Sequence, residues 1–161
     1  MKLFIDSADL NEIREVLNYG IFDGVTTNPS LIKEAMQKHK EKNLESYIKK
    51  ILKICKGKSV SLEVVGTDYN EMIMEGENLF RKFNKISGNV YIKIPANPCI
   101  EKKCSMGSDG IKTIKFLSQK GIPINCTLIF TPEQALLAAK AGAKIVSPFT
   151  GREDDYIREI N

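Results

Sequence analysis

Histidine is nearly missing from this chain: His39 is the only one in 161 residues. The four cysteines, Cys55, Cys99, Cys104 and Cys126, are scattered, and only Cys99 and Cys104 lie close together. Without a second pair or nearby histidines, the spacing of a zinc-type ligand set is not met. We therefore expect no metal and reduced thiols, with Cys99 and Cys104 the one pair open to redox or metal chemistry. No apolar run approaches the roughly 20 residues that cross a bilayer. An arginine-rich or aromatic-interleaved patch for nucleic acid is also lacking, as is a Gly-rich dinucleotide motif. Neither membrane, nucleic acid nor a nucleotide cofactor is expected. In the opening MKLFIDSADL, Asp6 and Asp9 fall where a signal peptide needs an apolar core, so the cytoplasm is the expected compartment. The net charge of +4 is modest, and the lysines from Lys33 to Lys58 read as solvated helix faces.

What is present is alternation of strand and helix in short units. Strands are expected at Lys2 to Asp6, Gly24 to Asn28, Val60 to Val65, Val90 to Pro95, Pro123 to Thr127 (reaching Ile129 at most) and Lys144 to Phe149. Between them run helical patterns. The first is capped by Ser7 and ends at Gly20, and the second opens at Pro29 and Ser30. The third runs from Leu44 to Cys55, the fourth from Tyr69 to Phe83, and the fifth is capped by Ser108 or Asp109. The sixth follows Thr131 and Pro132, runs from Glu133 to Ala141 and stops at Gly142. Ala96 to Ser108 reads as an irregular loop, and Asp154 to Ile160 could begin another helix. Repeated β/α units imply a parallel sheet with crossover helices, whose chemistry gathers at the carboxyl ends of the strands. One domain over residues 1–161 is expected.

Period-2 alternation places one polar group on the same face of each strand. Asp6 falls with Phe4, Asn28 with Thr26, Glu63 with Ser61, Lys93 with Tyr91, Thr127 with Asn125, and Ser147 with Ile145 and Phe149. Ile5, Val25, Leu62, Val64, Ile92, Ile94 and Cys126 fall on the opposite, helix-packing face. Lys93 is the centre of this pattern. Burial favours the neutral form of a lysine, and a neutral amine attacks carbonyl carbon. The plainer readings are a lysine snorkelling from an edge strand, an Asp6 that only caps the first helix, a Ser147 that only packs, and an Arg152 that is only a surface residue. An inward lysine with carboxylates on neighbouring strands suits Schiff-base chemistry without metal.

The motifs FIDSAD with Asp6, GVTTNPSLI (Gly24 to Ile32), LEV with Glu63, IKIP with Lys93, NCTLIFTPEQALLAAKAGA (Asn125 to Ala143) and SPFTGR (Ser147 to Arg152) resemble the small transaldolases over nearly the whole chain. The resemblance implies a (β/α)8 barrel of TIM type. It also implies transfer of a dihydroxyacetone unit from sedoheptulose 7-phosphate to glyceraldehyde 3-phosphate, in the pentose phosphate pathway. By resemblance Lys93 is the Schiff-base nucleophile, Asp6 accepts a proton from the hydroxyl whose carbon leaves as aldehyde, and Glu63 with Thr127 holds a proton-shuttling water. Asn28 and Asn125 bind the triose unit, with Ser147 and Phe149 nearby, Thr26 supports them, and Arg152 meets the phosphate. Fructose 6-phosphate aldolases share the scaffold, but glutamine is typical where this chain has Glu63 and tyrosine where it has Phe149.

Two departures stand against the family pattern. Ala96 to Ser108 is longer than the loop expected after the lysine strand. The sequence also carries about six β/α units, so strands seven and eight are expected to be absent. A sheet left with open edges is expected to be poorly stable and weakly active alone. The alternatives are therefore a homo-oligomer, a chain completed by a complementary C-terminal piece, a non-catalytic fragment, or a phosphosugar isomerase that uses a carboxylate base without an imine.

Overall fold

The computed structural model describes residues 2–98 and 107–149. In chain order these form β1 (Phe4–Asp6), α1 (Leu10–Asn18), β2 (Gly24–Thr26), α2 (Pro29–Lys38), α3 (Leu44–Ile54), β3 (Ser59–Glu63), α4 (Tyr69–Ser87), β4 (Val90–Pro95), α5 (Asp109–Gln119), β5 (Ile124–Ile129), α6 (Pro132–Ala141) and β6 (Ile145–Pro148). The described residues thus form six strands with connecting helices, a β/α fold of TIM-barrel type. It divides into two compact units, with boundaries after Glu63, Glu77 and Tyr91.

In the first unit β1 pairs with β2 and β2 with β3, both parallel. Val25, Val60 and Leu62 are buried, as β-branched and aliphatic residues of a helix-covered sheet should be. Ile13, Ile48, Ile51 and Leu52 supply buried helix residues at helical spacing. Buried Tyr47 donates its hydroxyl to the Ala8 carbonyl at 2.9 Å, so its polar end is satisfied.

In the second unit β4 pairs with β5 and β5 with β6, again parallel. Ile92, Ile94, Ile114, Leu117 and Ile124 form its core. Asp109 joins two helix starts: its carboxylate accepts from the Tyr69 amide at 3.2 Å and pairs with Lys112 at 3.1 Å. A methyl group at Gly110 would lie 2.0 Å from the Pro95 carbonyl oxygen and 2.6 Å from that of Ala96. The first turn of α5 thus rests directly on the backbone that leaves β4.

Local chemistry corrects several expected boundaries. Asp9, not Ser7, caps α1, its carboxylate accepting from the amides of Asn11 and Glu12, while the Ser7 hydroxyl donates to Glu12 at 2.6 Å. Asn28 leaves the strand to cap α2, accepting from the Leu31 amide at 2.9 Å. The α4 helix runs to Ser87, about a turn beyond Phe83. Ser108 stands at the start of α5 but makes no side-chain cap bond. Thr131 and Gln134 form a full capping box on α6, and Gly142 closes it at φ 113°. The Asp154 to Ile160 helix and most of the Ala96 to Ser108 loop lie outside the described residues.

Candidate active site

In the first unit, the register sets Asp6 beside Thr26 and Thr26 beside Ser61. The Thr26 hydroxyl donates to Asp6 Oδ1 at 2.6 Å, which fixes the orientation of an otherwise exposed carboxylate. Asp6 therefore does not cap α1. Thr27, buried on the neighbouring face, donates to the Ser61 carbonyl at 2.7 Å and locks the end of β2 to β3. Half-buried Glu63 closes β3, two residues beyond Ser61.

In the second unit, Lys93 is only 4% exposed, which rules out the snorkelling edge lysine. Its register partner on β5 is Asn125, itself fully buried, whose Oδ1 accepts from the Ser147 hydroxyl at 2.8 Å. Ser147 thus has a polar partner rather than a purely packing role. Thr127 is opposite Pro95, and its carbonyl accepts from the Ala96 amide at 2.8 Å. Its hydroxyl is buried with no hydrogen-bond partner among the described residues. Such a group costs about 1–3 kcal/mol when left dry. The half-buried Phe149 ring lies 5.9 Å from that of Phe130. Arg152, Cys99 and Cys104 lie outside the described residues.

A feature that sequence reasoning missed follows Thr127. Leu128 adopts φ +54°, the left-handed region that costs a non-glycine residue about 1–2 kcal/mol. The β5–β6 register shifts there: Cys126 faces Val146, but Ile129 faces Pro148. Thr127 and Leu128 together therefore oppose Ser147 alone, a β-bulge. INCTLI has no glycine, and its one asparagine, Asn125, lies three residues before Leu128, so sequence alone gives no cue.

The remaining ionisable groups of note are structural. Asp9 is buried, which works against its charge. Lys38 at 2.7 Å and the amides of Asn11 and Glu12 outweigh that and hold the carboxyl at about 2. His39 Nε2 stands 3.3 Å from the same carboxylate. Burial pushes the Cys55 thiol up to about 11 and the Cys126 thiol to about 12, as suits inert core residues. Among the described residues no group of His, Cys, Asp and Glu could hold a metal ion, and no helix is long and apolar enough to cross a membrane.

The sequence profile of the Transaldolase/Fructose-6-phosphate aldolase family matches residues 3–161. The chain belongs to that family. Family members similar to it include probable transaldolases of Bacteroides thetaiotaomicron (49% identical over 99% of this chain and 66% of that protein) and Cytophaga hutchinsonii (51%, with the same coverages). A probable transaldolase of Thermoplasma acidophilum is 49% identical over 96% of this chain and 62% of its own length. The chain thus spans slightly less than two thirds of these curated relatives. Two solved structures share the fold alone. A 2,3-dimethylmalate lyase of the PEP mutase/isocitrate lyase superfamily matches at TM-score 0.56 and 14% identity, over 90% of this chain and 56% of that one. A putative phosphonomutase from Burkholderia cenocepacia matches at TM-score 0.51 and 12% identity, over 90% and 68%.

Proposed function

We propose that this family member takes part in transaldolase-type transfer of a dihydroxyacetone unit between sugar phosphates, through a Schiff base on Lys93. The donor is sedoheptulose 7-phosphate, the acceptor glyceraldehyde 3-phosphate, and the setting the cytoplasmic pentose phosphate pathway. The observation that carries the reading is a lysine buried in β4 with a buried asparagine as its register partner. An amine enclosed in a strand is held in one position, as a nucleophile that must meet a ketone needs to be.

In the proposed sequence the Lys93 amine attacks the donor ketone and a carbinolamine forms. Loss of water gives an iminium, with Glu63 and Thr127 handling the protons through a held water. Asp6, oriented by Thr26, takes the hydroxyl proton of the carbon that departs as aldehyde. The bonding electrons pass into the enamine on Lys93, which then adds to the acceptor aldehyde. Asn125 and Asn28 hydrogen-bond the triose unit. Since the Asn28 carbonyl oxygen already caps α2, its NH2 group is the part that would donate. Ser147 holds Asn125 in place, Phe149 borders the substrate and Arg152 meets its phosphate.

The family name also covers fructose 6-phosphate aldolase, which would release free dihydroxyacetone instead of transferring it. Glu63 and Phe149, in place of glutamine and tyrosine, favour transfer.

Borohydride added with fructose 6-phosphate should leave a mass adduct on the Lys93 peptide. In a separate reaction without borohydride, sedoheptulose 7-phosphate and glyceraldehyde 3-phosphate should give fructose 6-phosphate with no release of free dihydroxyacetone. A folded protein with no adduct would count against the imine, and acceptor-independent dihydroxyacetone release would favour the aldolase.

A further inference from the structure

We propose that Leu128 is a positioning residue, whose left-handed backbone makes the bulge that presents the Thr127 hydroxyl for the proton steps of imine formation. The inference rests on the Schiff-base reading above.

Three observations meet at two adjacent residues. Leu128 holds φ +54°, a conformation that branched residues avoid. The β5–β6 register slips by one residue at that point. The Thr127 hydroxyl is buried and unpartnered among the described residues. Each feature is unfavourable by itself, and strain of this kind persists only where surrounding structure enforces it.

The bulge does not merely end the strand. Beyond it the ladder resumes, with Ile129 facing Pro148 and the Phe149 amide donating to the Ile129 carbonyl at 2.9 Å. On its other edge Thr127 keeps regular pairing with Pro95, and its carbonyl accepts from Ala96. The irregularity is therefore confined to the side facing Ser147, the residue that also holds Asn125. Because two β5 residues share one β6 partner, the Ser147 hydroxyl serves Asn125 while the Thr127 hydroxyl is left for a water or substrate.

The test is a substitution series at Leu128 in the full-length protein, read by the rate of borohydride-trappable imine formation in a single turnover. Leu128→Gly and Leu128→Asn accept positive φ, so both should stay within about threefold of the parent. Leu128→Val and Leu128→Ile resist it and should form the imine at least about tenfold more slowly. In those two, adding Thr127→Val should cost little more, whereas in the parent and the glycine variant it should cost its full penalty. A series that instead follows side-chain size, with Val and Ile matching the parent and Gly and Asn slow, overturns the proposal. If the β-branched variants fail to fold, folded Leu128→Gly decides: retention of both the rate and the Thr127→Val penalty supports the proposal, and loss of either overturns it. A parent that traps an adduct on Lys93 while the series is flat removes the positioning role alone. A parent that traps none removes the Schiff-base reading and this proposal with it.

Discussion

Lys93 and Asn125 face each other across the β4–β5 ladder, both buried, and the asparagine is held in turn by the Ser147 hydroxyl. Replacing the lysine with methionine keeps length and apolar stem but removes the amine. Lys93→Met should abolish the borohydride adduct in a protein that still melts cooperatively. Calorimetry beside intact-mass analysis measures both.

The Ser147–Asn125 hydrogen bond should register as coupling. In a cycle of Ser147→Ala, Asn125→Ala and the double variant, the two changes should be non-additive in stability by about 1 kcal/mol. Urea unfolding of the four proteins gives the value. Additivity would mean that the bond contributes nothing.

Thr26 orients Asp6 through a hydrogen bond to a charged acceptor. Thr26→Val keeps the shape and removes the donor, so the step that breaks the carbon–carbon bond should slow about tenfold or more. Binding of the donor sugar should change little. Pre-steady-state release of the aldehyde product separates the two effects, and an unaltered rate would leave Thr26 a strand residue only.

Acid should expose the Asp9 clamp. Its folded carboxyl titrates at about 2, below the ordinary value of about 4 in an unfolded chain. The stabilisation is therefore full above pH 4 and is lost as the pH falls through 2. Asp9→Asn should be less stable than the parent by on the order of 1–2 kcal/mol near neutrality, the gap closing between pH 4 and pH 2. Denaturant curves at several pH values follow it.

Cys55 and Cys126, with thiols held at about 11 and 12, should resist iodoacetamide at pH 8 in the folded protein and react only on unfolding. Peptide mapping after timed alkylation reads this directly.

Much of this architecture is legible in the sequence because its cues are local. Thr131, Pro132 and Gln134 spell a helix start, and the apolar run around Lys93 marks a buried strand. Asn28 could have been read as a cap, since it stands directly before Pro29. Its place in the alternation pointed instead to the strand. Asp9 prevails over Ser7 as cap with the support of Lys38 and His39, at the far end of another helix, which no local pattern reveals. Leu128 is the hardest case. In INCTLI it reads as an ordinary strand leucine, and its bulge exists only in the pairing with β6.

The contact at Gly110 has a consequence for anyone reshaping this protein's substrate preference. The atoms that crowd the missing side chain are carbonyl oxygens of Pro95 and Ala96, not flexible side chains that a companion substitution could trim. The space opens only if backbone shifts, either the first turn of α5 or the end of β4 that carries Lys93. In a combinatorial library this codon should return only glycine among folded survivors, however freely its neighbours are varied.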